Sequence, residues 1–332
     1  MNKWVERRVL VTGGLGFIGF NLVKKLISLG SKVVIVDDLS KGSTNYLSEV
    51  KNYKNKNILF VKRDLSKELV KDIIRNESID IVFHLAAKIG GIKYFHKYPA
   101  TILRDNALIT INVFESVCNS NVEKIIYFSS SMVYERSTVF PLSEDLLTKI
   151  PPPITSYGFS KLAGEYIAKA YNEEYGVKYV IVRPFNVYGP GELPGEEPGL
   201  AHVIPDLVKK VIEGQYPLEI FGTGEQSRSF TYISDLVDGV LLVAEKAVND
   251  DYNIGNDEEV KIIDLARLIW NICERKEPFA VKHLQPFKYD VQRRMPDISK
   301  IKCLGWRPKV KLEEGLKYYI AWYKEYHKKF GK

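Results

Sequence analysis

Apolar positions along this chain come in short bursts, separated by stretches in which they recur with a helical period. Residues 8–12 read as an apolar strand, 17–29 as an amphipathic helix, and 32–36 as a second strand ending at Asp37. Strand, helix and strand within thirty residues make a βαβ unit. Further strand-like runs follow at 58–62, 79–84, 124–129 and 179–182, with helical stretches between them. That repetition predicts an α/β fold, a doubly wound parallel sheet with helices on both faces. From about Asn186 the texture changes. Gly189, Pro190, Gly191, Pro194, Gly195, Pro198 and Gly199 fall within eleven residues, which breaks regular structure and predicts a mobile loop near a ligand. Beyond it short helices and strands mix without alternation, and an amphipathic helix over 312–328 closes the chain. The expected division is residues 1–186 with about 227–256 as the sheet domain, and about 187–226 with 257–332 as a smaller mixed α/β lobe.

Composition narrows the function classes. At 332 residues and 45% hydrophobic, the chain suits a globular protein of one large or two closely joined domains. The net charge of +7 comes from lysines scattered along the chain. This suits an anionic small ligand at least as well as nucleic acid, and no nucleic-acid motif is present. Three distant cysteines, Cys118, Cys273 and Cys303, argue against a disulfide framework or a metal site. The expectation is a cytoplasmic protein, with no room before Val9 for a signal peptide and no apolar run near the ~18 residues of a membrane span.

The first candidate chemistry lies in the turn between the first strand and helix. Gly13, Gly16 and Gly19 let the backbone approach a pyrophosphate, whose charge meets the helix end opened by Phe17 and Ile18. Eighteen residues after Gly19, Asp37 ends the next strand, where it can accept hydrogen bonds from an adenosine ribose and repel a 2′-phosphate. The context predicts a Rossmann-type site for NAD in preference to NADP. Asp38 is a further candidate contact to the cofactor, unless it merely begins a polar loop, and Lys41 could soften that preference. Asp64, beside Leu65, either meets the adenine edge or caps the segment after Ser66. The second candidate is Tyr157 with Lys161 four residues on, sharing a helix face, so that the ammonium can lower the phenol's pKa.

The stretches 12–19, His84-Leu85-Ala86-Ala87, Ser129-Ser130-Ser131-Met132-Val133-Tyr134, 157–161, 183–190, 228–235 and Leu304-Gly305-Trp306 together resemble the extended short-chain dehydrogenase/reductases that act on nucleotide sugars. They span nearly the whole chain in order. The resemblance implies that Leu65, Leu85, Ala86 and Ala87 lie along the cofactor. It also implies that Tyr157 removes a proton from a sugar hydroxyl, that Lys161 holds the nicotinamide ribose, and that Ser130 bonds the reacting oxygen, with Ser129 and Ser131 open by one register. Arg228 would meet the diphosphate, Asn186 a diphosphate or sugar oxygen, and the segment 200–205, with His202 and Val203, would wrap the sugar. A second diphosphate arginine of the family is missing at Phe287-Lys288-Tyr289-Asp290, and Arg293 or Arg294 would substitute.

The residue before Val133 separates branches of that family. Dehydratases need an Asp-Glu pair there and decarboxylases a Glu, whereas this chain has Ser131 and Met132, and Met has no exchangeable proton. The segments 87–92 and 202–205 resemble GDP-sugar enzymes in which a histidine matching His202 moves protons beside a Cys, absent here. The expectation is therefore a nucleotide-sugar C4 epimerase, with a UDP-sugar favoured over a GDP-sugar. Alternatives are a GDP-sugar oxidase or epimerase using His202, a dehydratase or decarboxylase, and last a non-catalytic NAD-binding regulator. Relatives pair two helices, here 101–118 and 157–171, into a four-helix bundle, so a homodimer is expected. Glu135 stands where relatives usually carry Gly, and the sequence assigns it no role.

Overall fold

A computed structural model describes residues 3–51, 57–195, 201–286 and 291–330. Its centre is a seven-stranded sheet. The strands β1 (Arg8–Thr12), β2 (Lys32–Asp37), β3 (Ile58–Lys62), β4 (Ile81–His84), β5 (Lys124–Phe128) and β6 (Tyr179–Pro184) are joined by a strand at Asp250–Ile254. The order is Asp250–Ile254, β6, β5, β4, β1, β2, β3, and every pairing is parallel. The chain winds outward from β1 through β2 to β3, then returns to the other side of β1 for β4, β5 and β6. The glycine turn sits where the order reverses, at the carboxyl ends of the strands, where such sheets hold ligands.

Alternating side chains feed two cores. Val9 and Val11 of β1 pack with helix α1 (Phe17–Ser28) and the Ile233–Lys246 helix, through Leu22, Val23, Leu26, Leu236 and Val240. Leu10 points the other way, into a layer with Ile109, Val113 and Phe114 of the Pro99–Val117 helix and Ala168 of the Ser156–Tyr175 helix. A third core joins the helices Val203–Ile212, Ile262–Ile272 and Leu312–Phe330 through Leu207, Val208, Leu265, Ile269, Leu316 and Tyr319. It is separate from the two cores that flank the sheet.

Three details differ from the sequence expectation. β4 starts at Ile81, because Asp80 turns its carboxylate back to accept the N–H of Arg8 at 2.8 Å. The Asp250–Ile254 strand escapes an apolar-pattern reading because Asp250, Asp251 and Asn253 are polar. Their partners, Lys300 at 2.6 Å, Arg183 at 2.6 Å and Tyr134 at 3.0 Å, are distant in sequence. The first part of the Gly/Pro run, predicted as a mobile loop, is pinned. Asn21 donates to the Pro190 carbonyl at 2.9 Å, Tyr46 to Gly191 at 2.8 Å and Tyr319 to Glu192 at 2.8 Å. Pro198, Gly199, Leu200 and residues 287–290 lie outside the described residues.

Candidate active site

Gly13, at φ +68°, and Gly19 admit no side chain. A Cβ would lie 2.8 Å from the Ala86 nitrogen at the first and 2.2 Å from the Gly13 oxygen at the second. No side chain caps α1, whose N-terminal residue before the helix is Gly16, so its first-turn N–H groups face the groove. Asp37 is buried and accepts the N–H of Leu15 at 3.0 Å and of Leu39 at 2.8 Å. Burial pushes its carboxyl above the usual range, against the pull of these bonds. The open N-terminus, the small residues and the carboxylate fit the pyrophosphate and adenosine ribose of a dinucleotide.

Around that acid the charges are already committed. Burial works against Asp38, but Lys88 at 2.8 Å and the hydroxyl of Ser40 outweigh it and hold the carboxyl low. Lys41, the residue that could have met a phosphate, instead donates to the Ile89 carbonyl and lies 4.6 Å over the Tyr94 ring. Asp64 makes capping contacts and also lines the groove. It accepts the Ser66 hydroxyl at 2.6 Å and the Ser66 N–H at 3.0 Å, and pairs with Lys67 at 2.9 Å. The Ser66 hydroxyl chiefly pulls its pKa down to about 2. Leu65, Leu85, Ala86 and Ala87 line the same groove.

The groove runs into a second pocket, and the two share Phe17, Ile18, Ser129, Tyr157, Glu192 and His202 at their seam. Tyr157 enters it from the first turn of the Ser156–Tyr175 helix and stacks on Phe95, ring centres 4.5 Å apart and 5° from parallel. Burial pushes its phenol up to about 12, while a hydrogen bond from Ser130 and the charge of Arg294 act to lower it. The Ser130 hydroxyl also accepts the Met132 N–H at 3.2 Å. Its neighbours are otherwise engaged. Ser129 donates to the Glu165 carboxylate at 2.5 Å, and Ser131 is buried in the 3-10 turn Ser131–Tyr134. Of the three serines, Ser130 is the one whose hydroxyl acts to lower the Tyr157 pKa.

Lys161 differs from the expectation that it tunes the phenol. Its ammonium donates to the Phe128 carbonyl at 2.7 Å, and the cation acting on Tyr157 is Arg294. Sharing a helix face brought Lys161 near, but a carbonyl at the end of β5 captured it. Burial pushes its pKa down to about 7, with Glu165 opposing. The unfolded chain keeps that proton to about 10.5, so between these values it binds the more protons. The cost of burying the ammonium is full below about pH 7 and is relieved as pH rises. Lys161→Met is expected to stabilise the protein at pH ~6 and to lose most of that advantage by pH ~10. Urea midpoints at both values check this, and an equal advantage at both would contradict it.

Two arginines lie side by side in the substrate half. The strands Ser227–Ser229 and Arg293–Arg294 run parallel, with Arg294 opposite Arg228. Arg228 is buried against the pocket and donates to the Ser227 carbonyl at 2.8 Å. Arg294 enters the same pocket and reaches the Met132 sulfur at 2.9 Å. Arg293 turns away, bonding Glu259 at 2.9 and 3.1 Å and lying 4.8 Å over the Phe140 ring. Arg294 therefore faces the Ser130–Tyr157 end of the pocket. Asn186 lines the pocket with its amide donating to the Ser229 carbonyl at 2.8 Å.

His202 precedes the Val203–Ile212 helix, and its Nδ1 is bonded to the Glu192 carboxylate. Val203 lines the pocket beside it. Glu192 was missed from the sequence, where it is one acid in a Gly/Pro run. Its other oxygen, Oε2, is buried at the seam and takes no hydrogen bond from a described residue. Among the described residues, no group of His, Cys, Asp and Glu could hold a metal ion, and no helix is long and apolar enough to cross a membrane.

A dinucleotide groove that opens at a sheet's switch point onto a buried tyrosine, with a serine in the same pocket, defines an NAD-using enzyme that moves hydride to and from an alcohol carbon. The model of the NAD dependent epimerase/dehydratase family matches residues 9–255, and the chain belongs to that family. It is 33% identical over 328 residues to the UDP-glucuronate 4-epimerase of Thermodesulfobacterium geofontis, covering 95% of this chain and 96% of that one. The crystal structure of UDP-glucose 4-epimerase with UDP-glucose from Thermotoga maritima superposes with a TM-score of 0.86 at 35% identity, covering 96% of this chain and 99% of that one. UDP-N-acetylglucosamine 4-epimerase from Methanobrevibacter ruminantium, in complex with UDP-N-acetylmuramic acid, gives 0.87 at 32%, covering 97% and 99%.

Proposed function

We propose that the chain is a UDP-sugar 4-epimerase, which oxidises the sugar at C4, lets the ketone turn in the pocket and re-reduces it from the other face. The observation that carries this is the pocket that brings Tyr157, Ser130 and the thioether of Met132 together at the end of the dinucleotide groove. Tyr157 takes the proton of the reacting hydroxyl and later returns it, Ser130 bonds the same oxygen, and Lys161 holds the nicotinamide ribose. Gly13, Gly16, Gly19 and Asp37 would hold NAD, which would supply the hydride acceptor for the oxidation and the donor for the reduction. Arg228 meets the diphosphate and Asn186 an adjacent oxygen. Met132 offers no proton, so expulsion of water lacks its acid at this position. The uridine preference rests on the nucleotides named for the relatives.

The test is incubation with UDP-glucose, UDP-galactose and their N-acetyl and uronic forms, without added cofactor. At least one pair should interconvert by chromatography, and conversion of none would remove the reading. The His202–Glu192 pair favours a second reading, a GDP-sugar epimerase in which His202 moves a proton. His202→Asn should then abolish turnover of a GDP-sugar. We further infer a cytoplasmic homodimer built on the helices Pro99–Val117 and Ser156–Tyr175, whose Leu103, Leu108, Ile111, Phe159 and Tyr166 are exposed.

A further inference from the structure

Glu135 follows the 3-10 turn Ser131–Tyr134, and its carboxylate closes on the start of the Ser156–Tyr175 helix. Oε1 accepts the N–H groups of Ile154 and of Thr155, the latter at 2.6 Å, and Oε2 accepts the Thr155 hydroxyl at 2.6 Å. The Thr155 oxygen in turn accepts the N–H of Gly158 at 3.1 Å. Pro151, Pro152 and Pro153 come just before and have no N–H, so Ile154 and Thr155 carry the first backbone donors ahead of the helix. One carboxylate takes both, at the helix end where negative charge is favoured.

The two segments joined in this way carry the reacting pair. Ser130 is the capping residue of the 3-10 turn, and Tyr157 lies in the first turn of the helix. They touch again at Gly158, where a Cβ would lie 2.8 Å from the Met132 carbonyl oxygen. We propose that Glu135 is a positioning residue, which fixes the Tyr157 phenol against the Ser130 hydroxyl by locking turn to helix. It touches no substrate. It acts through Thr155 and the helix start, and its loss lets the phenol drift by a fraction of an ångström from the oxygen it must deprotonate. Displacements of ~1 Å cost proton and hydride transfer about a hundredfold.

This inference rests on the epimerase reading, and its test keeps the two apart, because activity of the parent enzyme is established first on the interconverting UDP-sugar pair. Glu135→Ala, Glu135→Gln and the parent holoenzyme are then compared for kcat, KM, thermal midpoint and the isotope effect of a sugar deuterated at C4. Glu135→Ala is expected to lower kcat by about tenfold to a hundredfold with KM within about twofold, and to raise the isotope effect as hydride transfer becomes limiting. Glu135→Gln, which keeps an acceptor for the two N–H groups, should recover most of the rate. A kcat loss in Glu135→Ala that only tracks the folded fraction, with the isotope effect unchanged, overturns the proposal. So does a Glu135→Gln variant that folds like the parent yet is as slow as Glu135→Ala.

Discussion

Tyr157→Phe should reduce turnover by about 10²- to 10⁴-fold while leaving the fold and the cofactor groove intact. The ring that stacks on Phe95 is preserved, so the buried contact survives and only the hydroxyl is lost. That hydroxyl shares the pocket with Ser130 and, on the proposed reading, takes the proton from the sugar. Because burial holds the phenol near 12, the parent enzyme's rate should climb with pH through the neutral range, and the residual rate of the variant should not. Turnover across pH, together with the NAD retained by the purified variant, checks both statements. A variant within about tenfold of the parent would show that another group serves as the base.

The largest stability effect is expected at the ion pair beneath the site. Arg183 reaches Glu165 through two bonds, at 2.8 and 2.7 Å, and both side chains are 1% exposed. The same guanidinium meets Asp251 at 2.6 Å and the Tyr134 hydroxyl at 3.0 Å. Arg183→Met leaves the Glu165 carboxylate charged in a dry interior, which should cost ~3–5 kcal/mol by urea unfolding. Adding Glu165→Gln should restore part of that loss, because the stranded charge is then gone. A single variant within ~1 kcal/mol of the parent would mean that water or a shifted side chain reaches the carboxylate. Since Ser129 donates to Glu165, this pair also steadies the residue preceding Ser130.

Much of the fold was legible because buried parallel strands read as apolar runs, as β1, β2, β4, β5 and β6 do, while β3 at the sheet edge is an apolar run left half exposed. The Asp250–Ile254 strand was not, since its polar side chains are explained only by Lys300, Arg183 and Tyr134. In the site, the glycine turn and Asp37 were legible because their geometry is local to one βαβ unit. Ser130 was legible from its distance to Val133 and Tyr134, with its neighbours open by one register, whereas separating Arg294 from Arg293 needed to know what Glu259 had already claimed. Glu192 and Glu135 were invisible for the same reason, as each acts on a partner that only the folded chain brings close. The i,i+4 spacing puts Lys161 and Tyr157 on one helix lining the same groove, but it could not foresee the Phe128 carbonyl.

The pins on residues 190–192 have a bearing on how the protein is made. Asn21 holds the segment from the start of the chain, while Tyr319 holds it from the last helix, through the carbonyl of the residue whose carboxylate meets His202. During synthesis the sheet and the glycine turn can assemble as they emerge, but the seam lacks its final hydrogen bond until the ribosome has released residue 319. The wall of the pocket at Glu192 is therefore completed only by the helix that carries Tyr319, and a product cut before residue 319 would lack that hydrogen bond.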